Sequence, residues 1–340
     1  MSRKAKDIVK YLLSLALAVF LVWYAFRSVD WKAFLGGLKM TRWLYLVPFF
    51  AASIGALVFR MFRWKALLKS SGHPVSSLIV WDANNVGNLA NVAIPGAGEL
   101  LRCGYVAGKA GYGNVFGTVV MERVWDVLAI LVMIVGALFL DRDKFGPFFN
   151  EQVWTPLSGR LNFSLWWIVV LLVVLAVLFF WTVFRYRGRN RICRKVADAF
   201  SSIAAGFASF RKMERKWLFF LYTLGIWTMY LLMCYSIQKA VPEMAGLRFV
   251  DAVFFTAVGN LAAVIPVPGG IGAYHYLLAL SASSIYGLTW ETGLLFATLQ
   301  HELHAILVLV LGALSYIRLS LGKNQGKEAS GAVSSGRADA

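Results

Sequence analysis

The chain has 340 residues, of which 59% are hydrophobic and only 15% charged, with a mean hydropathy of +0.66. A soluble domain is about half apolar and about a quarter charged, so this is an integral membrane protein, and without alternating segments of roughly ten residues it is built of helices and not as a barrel. The formal charge of +17 would suggest nucleic acid for a soluble protein; here Lys and Arg gathered in cytoplasmic loops against anionic lipid account for it, and no nucleic-acid partner is expected.

About 20 apolar residues cross a bilayer core. Six segments qualify: Ile8–Phe26, Trp43–Phe62, Val115–Leu140, Leu165–Phe184, Trp217–Ile237 and Leu288–Ile317. The basic N-terminus with its apolar run resembles a signal peptide but lacks a small-residue cleavage pattern, which predicts a retained first span. Three cysteines (Cys103, Cys193 and Cys234) imply no disulfide framework. Amphipathic interfacial helices are predicted at 30–35 and 196–210. The polar tail 321–340 is predicted to be disordered and cytoplasmic.

Two apolar stretches, 76–111 and 249–287, are too broken to span simply. The first contains Val86-Gly87-Asn88-Leu89-Ala90-Asn91-Val92 and then Pro95, Gly96 and Gly98. The second contains Val258-Gly259-Asn260-Leu261-Ala262-Ala263-Val264 and then Pro268, Gly269, Gly270 and Gly272. In hydrocarbon a helix break survives only where protein or a wet cavity surrounds it, so each stretch is predicted to be a re-entrant helical hairpin.

The duplication extends further, because Gly117–Leu138 aligns without gaps on Gly293–Leu314 and sets Asp126 opposite Glu302. The expected fold is an all-α polytopic membrane protein of two repeats, 1–140 and 141–320, each with three spans and one hairpin. Three crossings per unit invert the second unit. Basic residues after spans two and four and at both termini make that face cytoplasmic. The first hairpin then enters from the cytoplasm and the second from outside, the plan of many secondary transporters.

Ionisable groups at membrane depth are candidates for function. Glu122, Arg123 and Asp126 stand together in span three. They form either an ion pair that locks helices together or a charged cavity wall for a polar headgroup. Glu99 and Arg102 follow the first break, where free N–H groups at a helix start would bind an anion and Arg102 could fork onto phosphate; a Glu99–Arg102 capping pair is the structural alternative. His275 and Glu302 are the candidates in the second half, as a proton site or an interhelical hydrogen bond. His301-Glu302-Leu303-His304 lacks the i, i+4 spacing of a zinc helix, so no metal is expected. The first tip is expected to bind charge, and the second mainly to permit close packing. The asparagines at 84, 85, 88 and 91 are expected to tie helices together.

Pro95-Gly96-Ala97-Gly98-Glu99-Leu100-Leu101-Arg102 with Gly117-Thr118 and Glu122-Arg123-Val124-Trp125-Asp126, followed by Pro266-Val267-Pro268-Gly269-Gly270-Ile271-Gly272, resembles the paired motifs of the lysylphosphatidylglycerol synthase transmembrane, flippase-like family. The resemblance implies a prokaryotic protein of the cytoplasmic membrane whose region moves a lipid between leaflets. The soluble aminoacyl-transferase domain of the best-known members has no counterpart here, so aminoacylation does not carry over. His275 stands where many members are expected to carry an acidic residue.

The leading expectation is therefore a transporter or flippase for an anionic phospholipid or a polyprenyl phosphate, with no cofactor. A membrane-embedded lipid-modifying enzyme is the alternative, but no donor-binding or nucleophile motif supports one. The other is a non-catalytic partner of a separately encoded membrane synthase or glycosyltransferase.

Overall fold

The computed structural model describes residues 19–20, 23, 26–27, 29–107, 111–155, 174–175, 177–179, 181–262, 267 and 270–335. Nearly all of the predicted first span, most of the fourth, and the second break at Pro268 and Gly269 lie outside the described residues.

The described chain is helical. In order it forms α1 (Trp31–Met40), α2 (Leu46–Ser70), α3 (Ser77–Ala93), α4 (Ala97–Val106), α5 (Tyr112–Leu140), α6 (Arg142–Phe149), α7 (Arg191–Ala208), α8 (Lys216–Ala240), α9 (Phe249–Leu261), α10 (Ala273–Tyr286) and α11 (Trp290–Ser335). Four helices are long and apolar enough to cross a membrane, within Trp43–Ser70, Tyr112–Leu140, Lys216–Ala240 and Trp290–Leu321. At helical rise the shortest reaches about 37 Å, more than the roughly 30 Å hydrocarbon core. Their outer faces are apolar and uncovered, as with Val127, Leu131, Val135 and Phe139 on α5 and Ile306, Val310, Leu314 and Ile317 on α11, which suits helices solvated by lipid. The protein is a multi-pass membrane protein.

Two boundaries differ from those predicted. Helix α2 continues past Phe62 to Ser70, so Arg60, Arg63, Lys65 and Lys69 are helical and not loop charges. Helix α11 runs on through Ser335, beyond the Gly322 boundary predicted from polarity.

Each break has a local cause. Pro95 pushes Ile94 into the extended region (φ −134°, ψ 114°) and removes an N–H donor. Gly96 then turns the chain at φ +76°, which glycine adopts without a Cβ clash. Helices α3 and α4 fold back against each other across this turn. In the second half Gly270 (φ +76°) and Gly272 (φ +84°) lead into α10.

Packing is reciprocal between the halves. Helix α3 packs on α11 while α9 packs on α5; α1 packs on α11 while α7 packs on α5; and α2 packs on α8. The reciprocity reaches single residues. A Cβ on Gly55 would meet the Met229 side chain at 2.8 Å, and one on Gly225 would meet the Phe59 ring at 2.9 Å. Each pair is the other with the halves exchanged. Helix α7 also seats directly on α5, where a Cβ on Gly206 would lie 2.1 Å from the Asn114 carbonyl oxygen.

Candidate functional site

Three helices of the first half bring charge to one place. Helix α2 carries Arg60 and Arg63, α4 carries Glu99 and Arg102, and α5 carries Glu122, Arg123 and Asp126. Arg63 is fully buried, and its Nη1 sits 2.8 Å from Asp126 Oδ1 while its Nε donates to Glu122 Oε1 at 3.4 Å. Glu122 and Asp126 share a helix face at i, i+4, so one guanidinium reaches both. Arg102 donates from Nη2 to Glu122 Oε2 at 2.7 Å and from Nη1 to Asn84 Oδ1 at 2.8 Å. Its guanidinium carbon lies 4.4 Å from the centroid of the Trp64 ring, a cation–π contact strengthened by burial. Trp64 is pinned in turn, donating to Thr118 Oγ1 at 3.0 Å.

Arg123 and Glu99 form the outer edge. Arg123 lies 3.9 Å from Glu99 Oε1 and 3.6 Å from Asp126 Oδ2, with its side chain 43% exposed against 20% for Glu99 and Asp126. Two polar atoms here, Arg123 Nε and Glu99 Oε2, find no hydrogen-bond partner among the described residues. Arg60 donates to the Tyr230 hydroxyl at 3.4 Å and is close enough to act on Asp126 and Glu122. Four guanidinia thus face three carboxylates, a surplus of one positive charge.

All five first-half candidates from the sequence fall in this cluster. The Glu99–Arg102 capping pair is replaced by other partners: Arg102 turns to Glu122 and Asn84, and Glu99 to Arg123. Two of the N–H groups after the break are occupied, since Ala97 N–H donates to the Ile94 carbonyl at 3.1 Å and Gly98 N–H to Asn91 Oδ1 at 2.7 Å. The charge at the break is carried by side chains. Arg63, Arg60 and Trp64 are the members that sequence reasoning missed, and Asn84, expected only to tie helices together, joins them by accepting from Arg102. Asn85 does tie helices, donating to Ser315 Oγ on α11 at 3.4 Å, and next to it the buried Asp82 is forked by Arg318.

The second half places a related group at its own tip. Glu99 and His275 are each the third residue of their helix, α4 or α10. Glu99 meets the charges of α5, and His275 meets Glu302 of α11 with Nε2 3.6 Å from Oε1. His301 Nδ1 is 2.9 Å from the same oxygen. The second break, on which the expectation of close packing at this tip falls, lies mostly outside the described residues. Among the described glycines the tightest approach is in the first half, where a Cβ on Gly98 would lie 2.0 Å from the Gly87 carbonyl oxygen; in the second, Gly259 faces the ring of Tyr274.

No curated protein and no solved structure matches the chain. A family model does, over residues 11–312, a range that takes in both clusters, three of the four described spanning helices whole and the fourth as far as residue 312. The chain belongs to the family described as the lysylphosphatidylglycerol synthase TM region, and so to the membrane proteins of lipid metabolism or transport.

Proposed function

We propose that this protein carries an anionic lipid, a phospholipid or a polyprenyl phosphate, between the leaflets of a prokaryotic cytoplasmic membrane. The observation that carries the reading is the charged cluster at the first helix break. Its inner part, Arg63, Arg102 and Glu122, is buried and held together by ion pairs. Its outer edge keeps a donor, Arg123 Nε, beside an acceptor, Glu99 Oε2, both without hydrogen-bond partners among the described residues, the former held only by its 3.9 Å ion pair with Glu99 Oε1. A phosphate would sit on Arg123, and a hydroxyl or ammonium of the same headgroup would donate to Glu99. A buried unpaired donor and acceptor each cost about 1–3 kcal/mol, and a headgroup bearing both functions relieves both.

Transport is favoured over catalysis because both oxygens of Glu122 and of Asp126 are engaged by guanidinia. Such carboxylates hold charge in place and are poorly disposed to act as nucleophiles or bases. Lipid is the partner; a separately encoded synthase that supplies the lipid is compatible with this role.

In this reading the two helix pairs are re-entrant hairpins of two inverted repeats, the first entering from the cytoplasmic face and the second from the opposite face. Both termini are then cytoplasmic. The reciprocal packing of the halves supports this arrangement, and so does the basic character of the loops on one face. Cysteines introduced singly at Ala97 and Ile271 are expected to react with an impermeant thiol reagent from opposite faces of the membrane. Labelling of both from one face would overturn the inverted arrangement.

Purified protein in liposomes is expected to accelerate translocation of a fluorescent anionic phospholipid. Arg123→Gln and Glu99→Gln should each slow it by roughly tenfold, about 1.4 kcal/mol per site. Both groups sit at the exposed edge, so their loss should change thermal stability by under about 1 kcal/mol. Acceleration by the wild type that survives both substitutions unchanged would place the headgroup elsewhere, and no acceleration with any anionic lipid would remove the transport reading.

A further inference from the structure

Three metal-ligating side chains converge at the start of α10. His275 Nε2 and His301 Nδ1 lie 3.6 and 2.9 Å from Glu302 Oε1, and one ligand atom from each of the three residues falls within 4.8 Å of the others. Zinc bonds of about 2.0–2.1 Å set tetrahedral ligands roughly 3.3 Å apart. The two separations from Glu302 bracket that value, so small shifts bring both onto it. Sequence spacing could not show this set, because His275 comes from α10 and the other two from α11. The sequence pair His301 and His304 is not what assembles: His304 Nδ1 is buried and finds no hydrogen-bond partner among the described residues.

The geometry points to a binding site for a divalent cation of the zinc class, held by His275, His301 and Glu302. The His275 side chain is 3% exposed and that of His301 15%, while Glu302 is 44% exposed. Two imidazoles form the inner wall and the carboxylate forms the open side, which is the plan of zinc sites that keep a fourth position for an exogenous ligand. The rings of Phe26 and Tyr274 stand 5.8 Å from His275 and 5.3 Å from His301 and fix the imidazoles. A Cβ on Gly270, at φ +76°, would be 3.9 Å from His301 Nε2, so the glycine backbone passes close to that ring. The Gly272 N–H donates to His275 Nδ1 at 3.4 Å. Coordination through Nε2 moves the imidazole proton onto Nδ1, so this long hydrogen bond is given up on binding.

Two positive charges on the ion against one on Glu302 leave a surplus of one, the same as in the first cluster. If the transport reading holds, each half then offers a phosphate a cationic station, built from guanidinia in one and from a cation in the other. The site itself does not depend on that reading.

The test uses the untagged, metal-free, full-length protein in detergent, titrated with Co2+ by visible absorption and with Zn2+ in competition. One ion per chain is expected, with ligand-to-metal nitrogen signatures in the cobalt spectrum. His275→Ala and Glu302→Gln should each weaken binding by roughly tenfold or more, whereas His73→Ala, remote from the cluster, should not. Zn2+ should raise the unfolding temperature of the wild type and not of Glu302→Gln, a variant close in shape. Substoichiometric binding by the wild type, or undiminished binding by His275→Ala, overturns the site. No lipid is present, so either result leaves the transport assay to stand or fall by itself.

Discussion

Replacing Arg63 with methionine is expected to destabilise the purified protein by about 3–5 kcal/mol, the cost of removing one partner from a buried ion pair. Arg63 is 0% exposed and bridges Glu122 and Asp126. Without it, Asp126 keeps Arg123, at 3.6 Å, Glu122 keeps Arg102, and Arg60 acts on both from further away. Two carboxylates one turn apart would then face the place of the lost guanidinium, whose carbon lies 5.8 Å from the Phe219 ring centroid. The cost is a charge left unpaired and not a loss of volume, so methionine's similar length does not offset it. Adding Asp126→Asn to Arg63→Met should therefore recover a large part of the loss. Thermal unfolding in detergent reads both. A loss under about 1 kcal/mol for the single change, the worth of a solvent-exposed pair, would mean that water reaches the inner cluster freely.

Arg63 also shows where the sequence was legible and where it was not. Hydropathy and the broken motifs were enough to find α3 with α4, α9 with α10, and the four described spans, because each depends on the composition of its own segment. Glu122, Arg123 and Asp126 were legible for the same reason, as charges inside an apolar run. Arg63 was not. Together with Arg60, Lys65 and Lys69 it has the look of a cytoplasmic loop, and nothing local distinguishes a lysine on the interface from an arginine turned into the core. The partner decides, and the partner lies on α5, 59 positions away. His275 was legible as a candidate but its set was not, since His301 and Glu302 arrive from another helix. Asn84 and Trp64 fall in the same class, because their roles exist only once Arg102 lies between them. Local polarity finds the groups, and tertiary packing chooses their partners.

The last expectation concerns the turn that aims Arg102. Gly98→Ala should be the most damaging single methyl in the first half. A Cβ there would stand 2.0 Å from the Gly87 carbonyl oxygen and 2.6 Å from Asn91 Cγ, and the former is backbone, which cannot swing aside. Helices α3 and α4 would have to part, and Asn91 would lose the Gly98 N–H that it accepts at 2.7 Å. Arg102 lies one turn further along α4, so the same shift would pull it from Glu122 and Asn84. The expected loss is at or above the top of the roughly 1–3 kcal/mol range for overpacking, because steric and ionic terms add. Two neighbouring glycines separate the causes. Gly96→Ala meets no atom within 4 Å but sits at φ +76°, so it should cost only the roughly 1–2 kcal/mol of a left-handed alanine. Gly104→Ala meets nothing and needs no positive φ, so on an exposed face of α4 it should stabilise by about 0.5–1 kcal/mol. The order Gly98, Gly96, Gly104 from worst to best, read by thermal unfolding, is what close packing of the two limbs requires. If Gly98→Ala proved as mild as Gly96→Ala, the limbs would be separable without disturbing the cluster, and the break would serve only to turn the chain.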